Sequence, residues 1–312
     1  MAHEPTPIRP VVIYPFSQPR DLKGLAALYD FLDALPAEKG FQRPQTFINM
    51  QTRLRSEGNT NKAVVDAFAE ATQRLIPKAS DIQYIWSVDT CAMWLTGLGS
   101  AFQDATAAQS PHDVFWLIPG DFDYASASGK DALAKMMDIP LAVQSGAAEI
   151  CLGEIRVPLN SAKQLIDTYG TYGLLYNWFP AEAQGIRSIT DKPRTEFFAI
   201  NSATLQRALV ENRWYAYEQT VMILLQNMSG KTPSRTIHCI KLGEITDDES
   251  TRSTLASAMQ QVERTERALK LFWREKAERD ASQTWHEDFR RLDAQSESVR
   301  TAAMVILRRL LV

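Results

Sequence analysis

The stretch "DVFWLIPGDFDYAS", Asp113 to Ser126, decides how the fold is read. Val114, Phe115, Trp116, Leu117 and Ile118 form an unbroken apolar run, which suits a central strand buried on both faces in a sheet covered by helices. Beyond Pro119 and Gly120 the run ends in two carboxylates one residue apart, Asp121 and Asp123. Each would cost several kcal/mol if left unpaired in an apolar interior. They therefore belong at the strand's end, facing a cleft or water.

Upstream, "PVVIYPF" (Pro10 to Phe16) predicts a first strand closed by Pro15. A helix follows in "DLKGLAALYDFLDAL", with Leu22, Leu25, Leu28, Tyr29, Leu32 and Leu35 at helical spacing and Asp21 as its cap. "TFINMQ" reads as a strand, "RSEGNTN" as a turn and Lys62 to Ile76 as an amphipathic helix. "IQYIWSVD" is a second strong strand that also ends in a carboxylate, Asp89, and "TGLGSAFQDATAA" is a Gly-rich turn entering a helix. Strands alternating with helices predict an α/β fold with a mostly parallel sheet flanked by helices. In such sheets ligands lie outside the carboxyl ends of the strands, where Asp89, Asp121 and Asp123 all fall.

Downstream, "AAEICLGEIRVPL" reads as strand with a turn near Gly153, and "AKQLIDTYGTYGLLYNWF" as a helix running into a Gly- and aromatic-rich loop. "TEFFAINSATLQRAL" predicts strand then helix, "YEQTVMILLQNM" a buried helix and "RTIHCIKLGEI" a further strand. From Asp247 onward there is neither Gly nor Pro, and Leu255, Met259, Val262, Leu269 and Trp273 form a nearly heptad stripe. The expected organisation is an α/β domain over 1–245 and a C-terminal helical appendage over 246–312.

Composition narrows the partners. The formal net charge is −3 over 312 residues, and the basic residues are scattered, which argues against nucleic acid as a ligand. Cys91, Cys151 and Cys239 form no CxxC pair and sit among apolar neighbours, as buried thiols in a reducing, cytoplasmic setting do. No apolar run approaches the roughly 20 residues that span a bilayer, so no transmembrane segment is expected.

Residues i and i+2 of an extended segment point to one side, so Asp121 and Asp123 can face a single ion while Phe122 turns into the core. Hard cations such as Mg²⁺ or Mn²⁺ take one or two such carboxylates and complete their shell with phosphate oxygens and water. The alternative is a surface turn whose aspartates accept hydrogen bonds from local backbone N–H groups.

The succession of "VVIYPF", a helix, "IQYIWSVD", "TGLGSAFQDA" and the strand entering Asp121-Phe122-Asp123 resembles the nucleotide-binding half of GT-A glycosyltransferases. The resemblance implies a GT-A-like, Rossmann-like fold with a mixed, mostly parallel sheet flanked by helices, and a metal-dependent transfer of sugar from a nucleotide-diphosphate sugar to an acceptor hydroxyl. It implies that Pro15, Asp89, Gly99 and Asp121 contact the nucleotide sugar and that Asp121 and Asp123 bind the metal. An acidic residue under the acceptor is similarly placed at Glu218 in "RWYAYEQT"; alternatively, Glu218 is a carboxylate favoured at a helix N-terminus. Some GT-A enzymes, including the mannosylglycerate synthase type, use a late histidine as third metal ligand. His238, out of phase with its apolar neighbours, is the candidate, against the alternative of a hydrogen-bonded sheet histidine. Arg194, with Arg187 and Lys192, either clamps a diphosphate or an anionic acceptor, or belongs to a solvated loop. Two further readings stay open: a nucleotidyltransferase of similar core, and a non-catalytic scaffold associating through its C-terminal helices; under any of these readings the C-terminal helices either pack within the chain or form a homodimer.

Overall fold

The computed structural model describes residues 4–16, 23–51, 66, 69–70, 72–74, 82–87, 99–103, 113–156, 170–211, 219–229, 236–245, 268–269, 271–273, 275–276 and 279. Its centre is the apolar run itself: β4, Val114–Pro119, is buried at every position. The other strands are β1 (Ile8–Phe16), β2 (Gln45–Gln51), β3 (Ile82–Ser87), β5 (Ile150–Arg156), β6 (Phe197–Asn201) and β7 (Ile237–Glu244). They form one seven-stranded sheet in the order β3-β2-β1-β4-β6-β5-β7. Neighbours pair in parallel except at β6, which runs antiparallel to both β4 and β5. This is the mixed, mostly parallel, helix-flanked sheet expected from the sequence.

The chain divides into two compact units. The first comprises Met1–Arg156, Thr195–Gln219 and Arg235–Asp248 and contains the whole sheet; the second comprises Val157–Arg194, Thr220–Ser234 and Glu249–Val312. In the first unit α1 (Lys23–Asp33), α2 (Ala127–Met136) and α3 (Asp138–Gln144) supply Leu25, Leu28, Leu133, Met136 and Ile139 to a core shared with Val114, Trp116 and Ile118. On the other face of β4, Phe115 meets Phe102 with ring centroids 5.8 Å apart. At the amino end of β4, the Asp113 carboxylate is paired with the Arg9 guanidinium while its carbonyl accepts from Ser202 N at 3.0 Å.

Two expectations need correction. No turn interrupts the chain near Gly153: β5 continues through it, and the irregularity there is a register shift against β7 between Glu154 and Ile155. A Cβ there would stand 2.7 Å from the Cβ of Phe197 and 2.8 Å from Cδ1 of Ile139, so the glycine serves close packing. Nor is "GTYGLLYNWF" a loop: α4 (Gly173–Trp178) and α5 (Pro180–Ile189) follow one another, α5 with proline in its first turn.

The second unit also holds most of α7 (Gln219–Met228), whose Val221 to Leu225 are buried; α6 (Ser202–Glu211) belongs to the first unit. The described part of the C-terminal stripe packs within this second unit: Leu269 is buried, and Phe272 meets Phe179 edge-on at 6.4 Å. Arg279 fastens the same segment, donating to Glu275 and Glu182 at 2.8 Å and lying 4.8 Å from the Phe179 ring centroid. Leu255, Met259 and Val262 lie outside the described residues.

Cys151 is fully buried on β5, and its thiol is pushed up to about 12, first by burial and then by Cys239 and Asp138. Peptide mapping after alkylation at pH 8 should find Cys151 unlabelled in native protein and labelled once unfolded. Because the folded state keeps a proton that the unfolded thiol releases near its ordinary value of about 8.5, stability should fall as pH rises from about 9 toward 12. Denaturant midpoints measured over that window should fall less in Cys151→Ala.

Candidate functional site

The chain leaves β4 into a short loop whose backbone is held on several sides. Gly120 N donates to Ile13 O of β1 at 2.8 Å, and Tyr124 N donates to Phe122 O at 2.9 Å. Phe122 is buried, with its ring centroid 5.0 Å from that of Phe197 and 6.4 Å from that of Tyr124. Asp121 and Asp123, on either side of it, are half-buried at the carboxyl edge of β4.

Asp123 is partly committed to the turn. Its Oδ1 accepts from Ala125 N and Ser126 N, both at 3.2 Å. Ser126 then caps α2, its Oγ accepting from Gly129 N at 3.0 Å and donating to Asp123 O at 2.9 Å. Helix, cap and acidic loop are therefore one hydrogen-bonded piece.

Two glycines let helices press on this loop. A Cβ on Gly24 of α1 would stand 2.4 Å from Phe122 O, and one on Gly129 of α2 would stand 2.1 Å from Asp123 O. Only the missing side chains permit such an approach of backbone to backbone.

Tyr124, adjacent to the aspartates, was not singled out from the sequence. It is wholly buried, and its hydroxyl donates to Pro119 O, across the acidic residues. The phenol is held well above its ordinary value by burial first, then by the charges of Asp121 and Glu196, so it remains a donor at neutral pH. Glu196 precedes β6, the strand beside β4, and its nearness depends on a strand direction that residue periodicity does not encode.

The other expected site residues are distributed as follows. Pro15 lies in β1, in register with Asn49 of β2 and near the strand's carboxyl end. Gly99 is the first of the described helical residues 99–103, and a Cβ there would meet nothing within 4 Å. Arg194 is half-buried in the second unit. Asp89 and Glu218 lie outside the described residues.

His238 is exposed, as its phase predicts, but the structure does not bring it to the aspartates. Trp116 pairs with Ala199, Ala199 with Cys151 and Cys151 with His238, so the histidine stands level with the middle of β4 and three strands away. Three strand spacings are roughly 14 Å, far beyond what a shared ion can bridge. The expected triad of Asp121, Asp123 and His238 is thus not formed. Among the described residues no group of three or more His, Cys, Asp or Glu side chains is arranged to hold a metal ion.

No protein-family model and no curated protein matches the chain. Solved structures similar to it include glucosyl-3-phosphoglycerate synthase from Mycobacterium tuberculosis in complex with Mg²⁺ and UDP, at 12% identity and TM-score 0.47, covering 82% of this chain and 75% of that one. The same enzyme with Mn²⁺, UDP and phosphoglyceric acid aligns at 13% identity and TM-score 0.48, covering 84% and 78%. A further crystal structure of a mycobacterial protein aligns at 10% identity and TM-score 0.49, covering 82% and 72%.

Proposed function

We propose that the chain is a GT-A-like glycosyltransferase that uses a nucleotide-diphosphate sugar as donor and an acceptor hydroxyl as nucleophile, with Mg²⁺ or Mn²⁺. The observation that carries this reading is the placement of Asp121 and Asp123 at the carboxyl edge of the buried central strand, with Phe122 anchored in the core between them. That edge is where mostly parallel sheets receive ligands.

The residues present fit a hard divalent cation. Two half-buried carboxylates supply the one or two oxygens that Mg²⁺ or Mn²⁺ ordinarily takes from protein, phosphate oxygens and water completing the shell. Asp121 would hold the ion, with Asp123 contributing through the oxygen not engaged by Ala125 and Ser126. When bound, such an ion neutralises charge on the departing nucleoside diphosphate. Pro15, Asp89 and Gly99 are proposed on the nucleotide side. Glu218 is proposed to orient or deprotonate the acceptor hydroxyl. We also propose that 246–312 is a helical extension and that the reaction takes place in the cytoplasm. No described helix is long and apolar enough to cross a membrane.

The bonds from Ala125 and Ser126 to Asp123 favour one competing reading, an ordinary turn with no ligand. Calorimetric titration of UDP, GDP and ADP with and without Mn²⁺ separates the two. Binding of one nucleotide only with metal, lost in the double variant Asp121→Ala/Asp123→Ala, is the expected result. If folded wild-type protein binds none of the three, the glycosyltransferase reading fails and the turn reading stands. Binding and turnover of a nucleoside triphosphate with release of pyrophosphate would indicate a nucleotidyltransferase instead.

A further inference from the structure

Resting on the donor site proposed above, we propose that Tyr124 is a positioning residue for it: the bond from its hydroxyl to Pro119 O closes the loop and fixes the bearing of Asp121. The two ends of the closed segment are already set. Pro119 is the last residue of the buried strand, and the Tyr124 ring is wholly buried beside Phe122. Between them Gly120 is tied to Ile13 O, Phe122 is anchored against Phe197 and Asp123 is tied to the first turn of α2 through Ser126. Asp121 stands between Gly120 and Phe122, so its direction follows from how tightly the loop is drawn.

A turn with no ligand gains little from such closure. A turn that presents carboxylates to a cation gains affinity, because the cost of fixing the ligands has been met in folding. Partners of this kind orient the groups that touch a metal, and removing one costs about 10–100-fold in metal affinity. Tyr124→Phe keeps the ring and its packing against Phe122 and deletes only the donor.

The experiment uses the full chain. Mn²⁺ affinity is measured by electron paramagnetic resonance in the presence of UDP, GDP or ADP, whichever binds, for wild type, Tyr124→Phe and Phe41→Leu. Phe41 is buried beside Ile8 at the amino end of β1, the opposite end of the sheet from the loop, so its variant controls for general destabilisation. Thermal unfolding and far-ultraviolet dichroism verify that each variant is folded. The expected result is about a tenfold or greater loss of Mn²⁺ affinity in Tyr124→Phe, with Phe41→Leu near wild type. Equal affinity in wild type and Tyr124→Phe overturns the positioning role while leaving the donor site intact. A comparable loss in both variants also overturns it, since Tyr124 would then act only through stability. Absence of Mn²⁺ binding in wild type overturns the site itself and the positioning role with it.

Discussion

Arg9→Ala should destabilise the protein by about 3–5 kcal/mol, because it leaves the Asp113 carboxylate buried without its partner. Asp113 is 1% exposed and Arg9 22% exposed, so the guanidinium is what covers and compensates the carboxylate. The same pairing ties neighbouring strands where they begin: Ile8 is in register with Val114, and Val114 N donates to Pro7 O at 2.9 Å. Urea denaturation should show a lower midpoint with little change in slope. Arg9→Met/Asp113→Leu should recover most of the loss, since a buried pair replaced by apolar groups of similar size is often neutral or stabilising. The acidic loop lies at the opposite end of β4, so metal-dependent nucleotide binding by the folded fraction should be unchanged. A loss below about 1 kcal/mol in Arg9→Ala would mean that water reaches Asp113 and that the pair is worth no more than a surface bridge.

What the sequence made legible is what burial alone dictates. A run such as Val114 to Ile118 has one inexpensive environment, and Asp121 and Asp123 cannot share it, so strand and edge were both readable. The helical spacing of Leu25, Leu28 and Leu32 foretold the face that α1 buries. Direction and register were not readable, because an apolar run such as "FFAIN" reads alike up or down a sheet. The reversal of β6 and the register across β5 and β7 set how far His238 stands from the aspartates. Its phase correctly put it outside the core but could not say where outside.

The glycines were ambiguous for a different reason. Within a strand, glycine marks either a break or a close approach, and the neighbours that decide between them at Gly153, namely Phe197, Ile139 and Leu242, are distant in sequence. Tyr124 was overlooked because a tyrosine next to a buried phenylalanine reads as packing. Its function lies in where the hydroxyl ends, at Pro119 O, which only the folded loop specifies.

Gly129→Ala should likewise be strongly destabilising, by about 3 kcal/mol, although alanine in place of glycine in an open helix ordinarily adds about 1 kcal/mol. The sign reverses because the new Cβ would fall 2.1 Å from Asp123 O and 2.7 Å from Tyr124 Cα, and backbone cannot swing aside as a side-chain tip can. Either α2 must tilt away, breaking the Ser126 cap bond to Gly129 N, or the acidic loop must be displaced. Both outcomes disturb Asp123, so metal-dependent nucleotide binding should weaken together with stability. Gly99→Ala is the internal comparison: it too lies in helical residues, but open space surrounds its Cβ position, and its urea midpoint should be unchanged or slightly raised. If Gly129→Ala instead matches Gly99→Ala, the helix does not press on the loop. The rigidity that would distinguish a cation site from an ordinary turn would then have to come from the Tyr124 closure alone.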